Sequence, residues 1–418
     1  MKAEMTLSLR SLGQIISKAS SRVFSLANVY SKSTHLKIVG RDLFRLKSGI
    51  FSDVFHLRAA MEWLCRAQDI TVCGGVSGGY SLEDGWLPPY PETTGYIIPT
   101  FLQYGLLNND AHYLGRAVEM GDWEIEIQHP SGAVRGGMGI KEYPIVFNTG
   151  QVILGWASLY RETKKNKYLE AAVRAADWLL SVQDEDGKWS KYTYLGIPHA
   201  YHTRVAWPIL EVHQLTGEKK YKTAAEKQIA WVLSQASENS WFNYMGFSLE
   251  EKPFLHTIAY TLRGLIESSV YLEEETRARI LSRVQQASEK IMRRYELRKK
   301  DPYSMPLYLQ ATFDEKWKSK DNYSCLTGNS QIAIVWLRLY KLNNDARLLN
   351  AALKLIDQVK ATQNFDSTNM GIQGGIAGSY PLWGGYMPFV YPNWSAKFFA
   401  DAIMLQESAI SELEKSNL

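Results

Sequence analysis

The sequence predicts an all-α fold in which six helical hairpins close into a ring, an (α/α)6 barrel. Three observations predict it. A Trp-and-Gln pattern recurs at the ends of helical stretches, capping residues recur at helix starts, and part of the pattern repeats 180 residues further along the chain. One hairpin alone would leave an apolar face exposed, so such repeats have to stack, and six of them can enclose a central cavity.

The first series marks where the outer helix of each hairpin ends. In three places a Trp is followed five residues later by a Gln, after a stretch with apolar residues at helical spacing. The pairs are Trp63–Gln68, Trp123–Gln128 and Trp178–Gln183, with Trp231–Gln235 one residue shorter. Gly, Asn or Asp then stops the helix. Outer helices are therefore predicted near 53–69, 110–128, 165–184, 218–237, 274–297 and 345–363.

The second series marks where the inner helices begin. Thr or Asn stands before an apolar, aromatic-rich stretch at intervals of 55, 54, 54, 70 and 66 residues. These residues are Thr94, Thr149, Thr203, Thr257, Thr327 and Asn393. Both residue types favour helix N-termini, so we expect them to act as capping residues. Inner helices are predicted near 92–107, 148–163, 202–215, 254–272, 325–342 and 392–413.

The third observation is a long-range repeat. The pair Trp156 and Tyr160 and the pair Ala171 and Ala172 recur at the same spacing as Trp336 and Tyr340 and as Ala351 and Ala352. No Pro/Gly/Ser-rich linker divides the 418 residues, so residues 51–418 are predicted to form one ring-shaped catalytic domain.

Composition excludes several classes of protein. A net charge of +4 is too small to argue for nucleic-acid binding, and no apolar run approaches the roughly 18 residues of a membrane span. Thirteen Trp and twenty-four Tyr favour a sugar-binding surface or an aromatic core. Cys65, Cys73 and Cys325 form an odd set without metal-ligand spacing. We therefore expect a cytoplasmic protein without a metal or other cofactor.

Residues 1–50 differ from the rest of the chain and are predicted to form a basic N-terminal arm. They carry nine Lys or Arg residues against only Glu4 and Asp42. No apolar core of a secretory signal is present in them. The arm is interpreted mainly as an amphipathic helix packed on the outside of the barrel, with weak contact to a membrane surface or a partner as the alternative.

The loops that lead into the inner helices share one face of such a ring, so polar residues around the helix starts should converge on one opening. Those predicted to bind substrate there are Trp86, Arg135, Asn148, Gln151, His199, Arg204, Tyr323, Asn329, Trp383, Asn393 and Trp394. Converging helix N-termini carry partial positive charge, and Arg binds carboxylates in a bidentate manner. An acidic, uronate-containing oligosaccharide or polysaccharide is therefore the expected substrate.

Two kinds of chemistry compete at this opening. Abstraction of the proton at C5 of a uronate, leading to elimination or epimerisation, needs a group that neutralises the carboxylate and a Tyr or His as base and acid. His202, His256 and Tyr260 can supply the latter, and the last two share one helix face. Glycoside hydrolysis instead needs a pair of carboxyl groups, and Glu92 is the candidate acid or base. A carbohydrate-binding protein without activity is a third possibility.

The repeat pattern over residues 51–413 resembles the six-hairpin toroids of glycoside hydrolases, polysaccharide lyases and uronyl epimerases. Tyr90-Pro91-x-Thr93, the stretch 151–175 and Tyr201-His202-Thr203 are similar to the helical domain of glucuronyl C5-epimerases. This resemblance implies catalytic roles for Tyr90 and Tyr201, and the Asn, His, Arg and Tyr set is similar to that of toroidal alginate and hyaluronate lyases. A competing resemblance of Gln183-x3-Gly187-x-Trp189 to the QW motif of terpene cyclases lacks their Asp-rich motifs.

Overall fold

A computed structural model describes residues 29–46, 48–299 and 309–416. Helix α1 is Ser33–Leu43. The outer helices are α2 (Asp53–Asp69), α4 (Ala111–Glu126), α6 (Asn166–Ser181), α8 (Lys219–Ser234), α10 (Glu274–Lys299) and α12 (Ala346–Lys360). The inner helices are α3 (Pro91–Asn108), α5 (Val146–Thr163), α7 (Thr203–Thr216), α9 (Leu255–Ser269), α11 (Leu326–Asn343) and α13 (Asn393–Ser416).

Each inner helix contacts the next one along the chain, and α13 also contacts α3, so the ring of inner helices closes. Each outer helix packs against an inner helix, with α2 on α13 completing the sixth pair. The predicted (α/α)6 barrel is confirmed. The predicted helix ends differ from the observed ones by at most three residues.

The repeated Gln side chains join neighbouring hairpins. Gln183 Nε2 donates to the Gly187 carbonyl in the loop that follows, at 2.7 Å, and to the Ala224 carbonyl on the next outer helix, at 2.9 Å. Gly187 has φ 93°, and a Cβ there would overlap the backbone of Lys227. Gln68, Gln128 and Gln363 make the same pair of contacts in their hairpins. The motif Gln183-x3-Gly187-x-Trp189, which resembles a QW motif, therefore has a structural role in joining neighbouring repeats.

The expectation that the repeated Thr residues cap the inner helices is wrong in detail. Helix α3 begins three residues earlier, at Pro91, and Thr94 lies in its first turn. Its Oγ1 donates to the Tyr90 carbonyl and accepts from the Val76 N–H of the incoming loop, each at 2.9 Å. Thr149 accepts from Val134 N in the same way. The hydroxyl groups of Thr94 and Thr149 therefore fix the loops that lead into the inner helices.

Short strands lie within the loops that precede the inner helices. Strands β1 (Gly79–Ser81), β2 (Gly85–Trp86) and β5 (Val390–Pro392) form an antiparallel sheet in the order β2-β1-β5. Strands β3 (Ser324–Cys325) and β4 (Ser379–Tyr380) form a second antiparallel pair. Since β1 precedes the first inner helix and β5 the last, the first sheet also helps to close the ring.

Helix α1 packs on the barrel through buried His35 and Ile38. Asp42 Oδ2 accepts a hydrogen bond from Leu382 N at 2.7 Å, and burial raises the pKa of Asp42 to about 6. The boundary of the predicted arm stays a prediction, since residues 1–28 and 47 lie outside the described residues, and so does its contact with a surface. None of the helices in the described part of the chain is long and apolar enough to cross a bilayer.

Candidate active site

A cavity of about 380 Å³ opens where the loops and the starts of the inner helices meet. The predicted site residues that line it are Tyr90, Glu92, Asn148, Tyr201, His256, Tyr260 and Trp394. The other lining residues are Tyr96, Gly137, Tyr143, Ile145, Phe147, Tyr194, Phe247, Tyr386 and Met387. Such a wall, mostly aromatic with few polar groups, is typical of a pocket for a small ligand.

Glu92 lies in the first turn of α3, which Pro91 opens. The Tyr90 hydroxyl donates to Glu92 Oε2 at 2.5 Å and fixes the orientation of the carboxyl group. The group is partly open to the cavity but otherwise surrounded by protein, and this burial raises the pKa of Glu92 to about 7. The Tyr90 hydrogen bond and the charge of Arg204 oppose the rise. Among the described residues that line the cavity, Glu92 is the only carboxyl group.

His256 and Tyr260 lie on one face of α9, as predicted, with ring centroids 4.3 Å apart. Gln331 Nε2 donates to His256 Nδ1 at 2.7 Å, which places the ring proton on Nε2. Burial, together with the charge of Arg204, lowers the pKa of His256 to about 3, so the imidazole is neutral near pH 7. Burial raises the pKa of Tyr260, and Glu92 adds to this effect.

Arg204 lies beneath the cavity wall and is absent from its lining. Its guanidinium donates twice to Gln151 Oε1, from Nη2 at 2.8 Å and from Nε at 3.2 Å. It also lies over the Tyr260 ring, 5.3 Å from the centroid. Arg204 and Gln151 were predicted to bind substrate. In this structure their side chains are hydrogen-bonded to each other, and the positive charge of Arg204 lies against the Tyr260 ring.

The histidines predicted just before α7 do not line the cavity. The His199 ring nitrogens lie 3.0 Å from the Gly246 carbonyl and 2.9 Å from the Tyr194 carbonyl, so this side chain ties two loops together. His202 is buried among rings, including Phe147 and Trp189, and burial strongly lowers its pKa. The structure gives neither ring access to the cavity, and their predicted roles stay untested.

Other predicted site residues also lie outside the cavity lining. Arg135 pairs with Glu142 and donates to the Ile127 carbonyl. Asn329 Nδ2 donates to Cys325 O at 2.8 Å, and Asn393 Nδ2 donates to Ser77 O at 2.7 Å. Each of these side chains therefore holds a backbone carbonyl group of the protein.

The remaining aromatic residues of the predicted set also lie outside the cavity. Trp86 packs against Trp63, with ring centroids 5.4 Å apart. Tyr323 packs beside the glycines at 384 and 385, and Trp383 is 38% exposed on the same loop. None of these three side chains lines the cavity, and their predicted contacts with substrate stay untested.

Several lining residues were missed from the sequence. Tyr96 stands two residues after Thr94 and one helical turn after Glu92, so helical spacing alone could have placed it in the cavity. Phe147 likewise precedes Asn148 in the first turn of α5. Phe247 and Tyr386 come from irregular loops and Tyr194 from a short, distorted 3-10 turn, where sequence spacing gives no direction for a side chain. Among the described residues, no group of three or more His, Cys, Asp or Glu side chains could hold a metal ion.

Several solved structures with the same fold are named as enzymes that act on carbohydrates. An unsaturated glucuronyl hydrolase specific for heparin matches with a TM-score of 0.65 and 13% identity, over 86% of this chain and 97% of that chain. A cellobiose 2-epimerase from Bacillus thermoamylovorans matches at 0.63 and 13%, over 84% and 99%. A polysaccharide lyase matches at 0.60 and 12%, over 86% and 99%. These likenesses confirm the predicted resemblance to six-hairpin carbohydrate-active toroids.

No curated protein sequence matches the chain. The family model for the β-L-arabinofuranosidase GH127 catalytic domain matches residues 64–380, which is well over half of the chain. That range contains most of the ring, including Tyr90, Glu92, His256 and Tyr260. The chain is therefore a carbohydrate-active enzyme, and it belongs to the β-L-arabinofuranosidase-like GH127 catalytic domain family.

Proposed function

We propose that this enzyme hydrolyses the terminal glycosidic bond of an oligosaccharide and that Glu92 is its proton donor. The observation that supports the proposal is a carboxyl group inside the cavity whose pKa of about 7 leaves about half of it protonated at neutral pH. General acids work best when their pKa lies near the working pH. The family model that matches the chain is that of a glycosidase, which supports the same reaction class.

The reaction follows from the groups present. Glu92 gives its proton to the glycosidic oxygen, the aglycone leaves as an alcohol, and water adds to the anomeric carbon. Hydrolysis usually uses a second carboxylate about 5–10 Å from the first. Glu92 is the single carboxyl group among the described residues of the lining, so in this proposal the proton released by the water returns to the same carboxylate.

The cavity favours action at a chain end. Its volume of about 380 Å³ lies at the small end of the range of ligand pockets, which is about 300–1,000 Å³. Aromatic side chains such as Tyr96, Phe147 and Trp394 surround the space on several sides. One sugar ring can stack against them while its glycosidic oxygen points towards the opening.

Proton abstraction at C5 of a uronate stays a prediction, as does the acidic substrate. His256 and Tyr260, which were expected to act in it, both line the cavity. Their pKa values argue against it, since that of the His256 base is about 3 and that of Tyr260 is raised. The cytoplasmic location is likewise untested.

Product analysis separates the two reactions. The purified chain is incubated with aryl β-L-arabinofuranoside, with an unsaturated glucuronyl disaccharide and with saturated uronate oligosaccharides, in light and heavy water. Hydrolysis predicts one free reducing sugar for each aglycone released. A new ultraviolet-absorbing double bond, or deuterium at C5 without release of a reducing end, would instead support C5 chemistry and overturn the proposal.

The pH dependence follows from the raised pKa of Glu92. The acid is active while protonated, so kcat/KM should be level below pH about 7 and fall about tenfold per pH unit above it. Initial rates at constant ionic strength between about pH 5 and about pH 9 test this. A rate that rises through pH 7 would show that the ionised form of Glu92 is the active one.

A further inference from the structure

A second depression, here called the groove, adjoins the cavity. Its volume is about 490 Å³, and it is formed by the loop 235–253 with residues 313–315. The side chain of Phe247 lines the cavity, whereas the residues on either side of it, Gly246 and Ser248, line the groove. One aromatic residue therefore stands between the two spaces.

The groove loop is fixed to the cavity wall by backbone contacts. Ala200 N donates to the Tyr244 carbonyl at 2.8 Å, and the next residue, Tyr201, lines the cavity. His199 bridges the carbonyls of Gly246 and Tyr194. The groove and the cavity thus keep a constant relative position, as successive binding sites for one chain require.

Exposed aromatic rings lie along this path. Tyr194 lines the cavity, is 55% exposed, and its ring centroid lies 5.8 Å from that of Phe247. Tyr244 lines the groove, is 37% exposed, and is supported from behind by Trp231 at 5.6 Å. Rings held in place with one face open offer apolar area at little entropic cost, which suits stacking on sugars.

The charges in the groove restrict the kind of sugar. Four carboxylates line it, against the single ammonium group of Lys252. They belong to Glu250, Glu251, Asp314 and Glu315. A polyanionic chain would meet like charges there, whereas a neutral chain would find hydrogen-bond acceptors for its hydroxyl groups.

We infer that the groove binds the aglycone side of a neutral oligosaccharide whose terminal sugar occupies the cavity. The orientation of the oligosaccharide, with its aglycone side in the groove, rests on the proposed hydrolysis. Binding of an oligosaccharide in the groove does not depend on that proposal, because binding is measured without turnover. The enzyme then recognises several sugars of an uncharged chain, rather than the terminal sugar alone.

Isothermal titration of the full-length Glu92→Gln chain tests this with three probes: a neutral arabinose hexasaccharide, a neutral glucose hexasaccharide and a glucuronate hexasaccharide. At least one neutral probe should bind more tightly than the acidic one. Adding Tyr244→Ala should weaken that binding about tenfold, the effect of losing one aromatic stacking contact. Binding of the corresponding monosaccharide, which occupies the cavity alone, should change much less.

Tyr192→Ala is the matched control. Like Tyr244, Tyr192 is exposed and its backbone lies in the left-handed region, with φ 56° against 64° for Tyr244. The ring centroid of each tyrosine lies 5.6 Å from that of a Trp on an outer helix. It lines neither space. Equal effects of the two substitutions, tighter binding of the acidic probe, or no binding of either neutral probe would each overturn the inference. Absence of hydrolysis by the unmodified chain, with these binding differences intact, would overturn only the proposed reaction.

Discussion

Replacing Glu92 by Gln should lower kcat/KM about 10²–10⁴-fold, the usual contribution of a general acid. Gln keeps the size of the side chain and can still accept the hydrogen bond from Tyr90, but it has no proton to give to the leaving oxygen. Steady-state hydrolysis of an alkyl glycoside or an oligosaccharide measures the loss. The decline of activity above pH about 7 should also disappear in this variant, because the group that titrates is gone.

The leaving group shows whether the loss is chemical. A dinitrophenyl aglycone leaves as a stable anion and needs little protonation, so the variant should retain much more activity on that glycoside than on an alkyl glycoside. Glu124→Gln provides the control. Glu124 is fully buried in α4 and burial strongly raises its pKa, yet it lies outside the cavity lining. Equal losses for all leaving groups, or equal losses in the two variants, would remove Glu92 from the role of acid.

The sequence was sufficient to predict the ring because its signal is repeated. Trp and Gln recur where outer helices end, and the structure shows the reason, since Gln68, Gln128 and Gln183 each join their own loop to the next hairpin. A wrong interpretation of one position matters less when the same pattern recurs in several hairpins. The Thr series located the inner helices for the same reason, although Thr94 lies inside the first turn and binds an incoming loop.

The site was harder to predict because the direction of a side chain depends on its exact place in a turn. Glu92 and His256 both line the cavity, and each has a partner one helical turn later, Tyr96 and Tyr260, that lines it too. His202 was selected for its closeness to a helix start. It lies in a short 3-10 turn before α7, where helical spacing does not apply, and its ring points into the aromatic packing.

The charged side chains of Arg135 and Arg204 illustrate a second limit of prediction from the sequence. Arg135 and Arg204 were expected to give the opening an anionic preference, because an Arg near a helix N-terminus commonly binds anions. Their partners, Glu142 and Gln151, lie 7 and 53 residues away in sequence. Which of two polar residues pairs within the protein depends on tertiary packing, and sequence spacing did not contain that information.

Two glycine substitutions should have opposite effects on stability. Gly155 on α5 and Gly95 on α3 allow these inner helices to approach closely: a Cβ on Gly155 would overlap the Gly95 carbonyl oxygen. Gly155→Ala should therefore lower the free energy of unfolding by about 1–3 kcal/mol, the usual cost of overpacking a core. Gly115→Ala, on outer helix α4 with open space around its Cα, should raise that free energy by about 0.5–1 kcal/mol, since Ala favours a helix over Gly.

Urea unfolding measures both changes as shifts of the midpoint at a constant slope. The same pair of variants also reports on the site, because α3 carries Glu92 and α5 carries Asn148 on opposite sides of this contact. Pushing the helices apart should therefore lower hydrolysis in Gly155→Ala while leaving it unchanged in Gly115→Ala. If Gly155→Ala were as stable and as active as the unmodified chain, close approach of these two inner helices would not be what sets the width of the cavity.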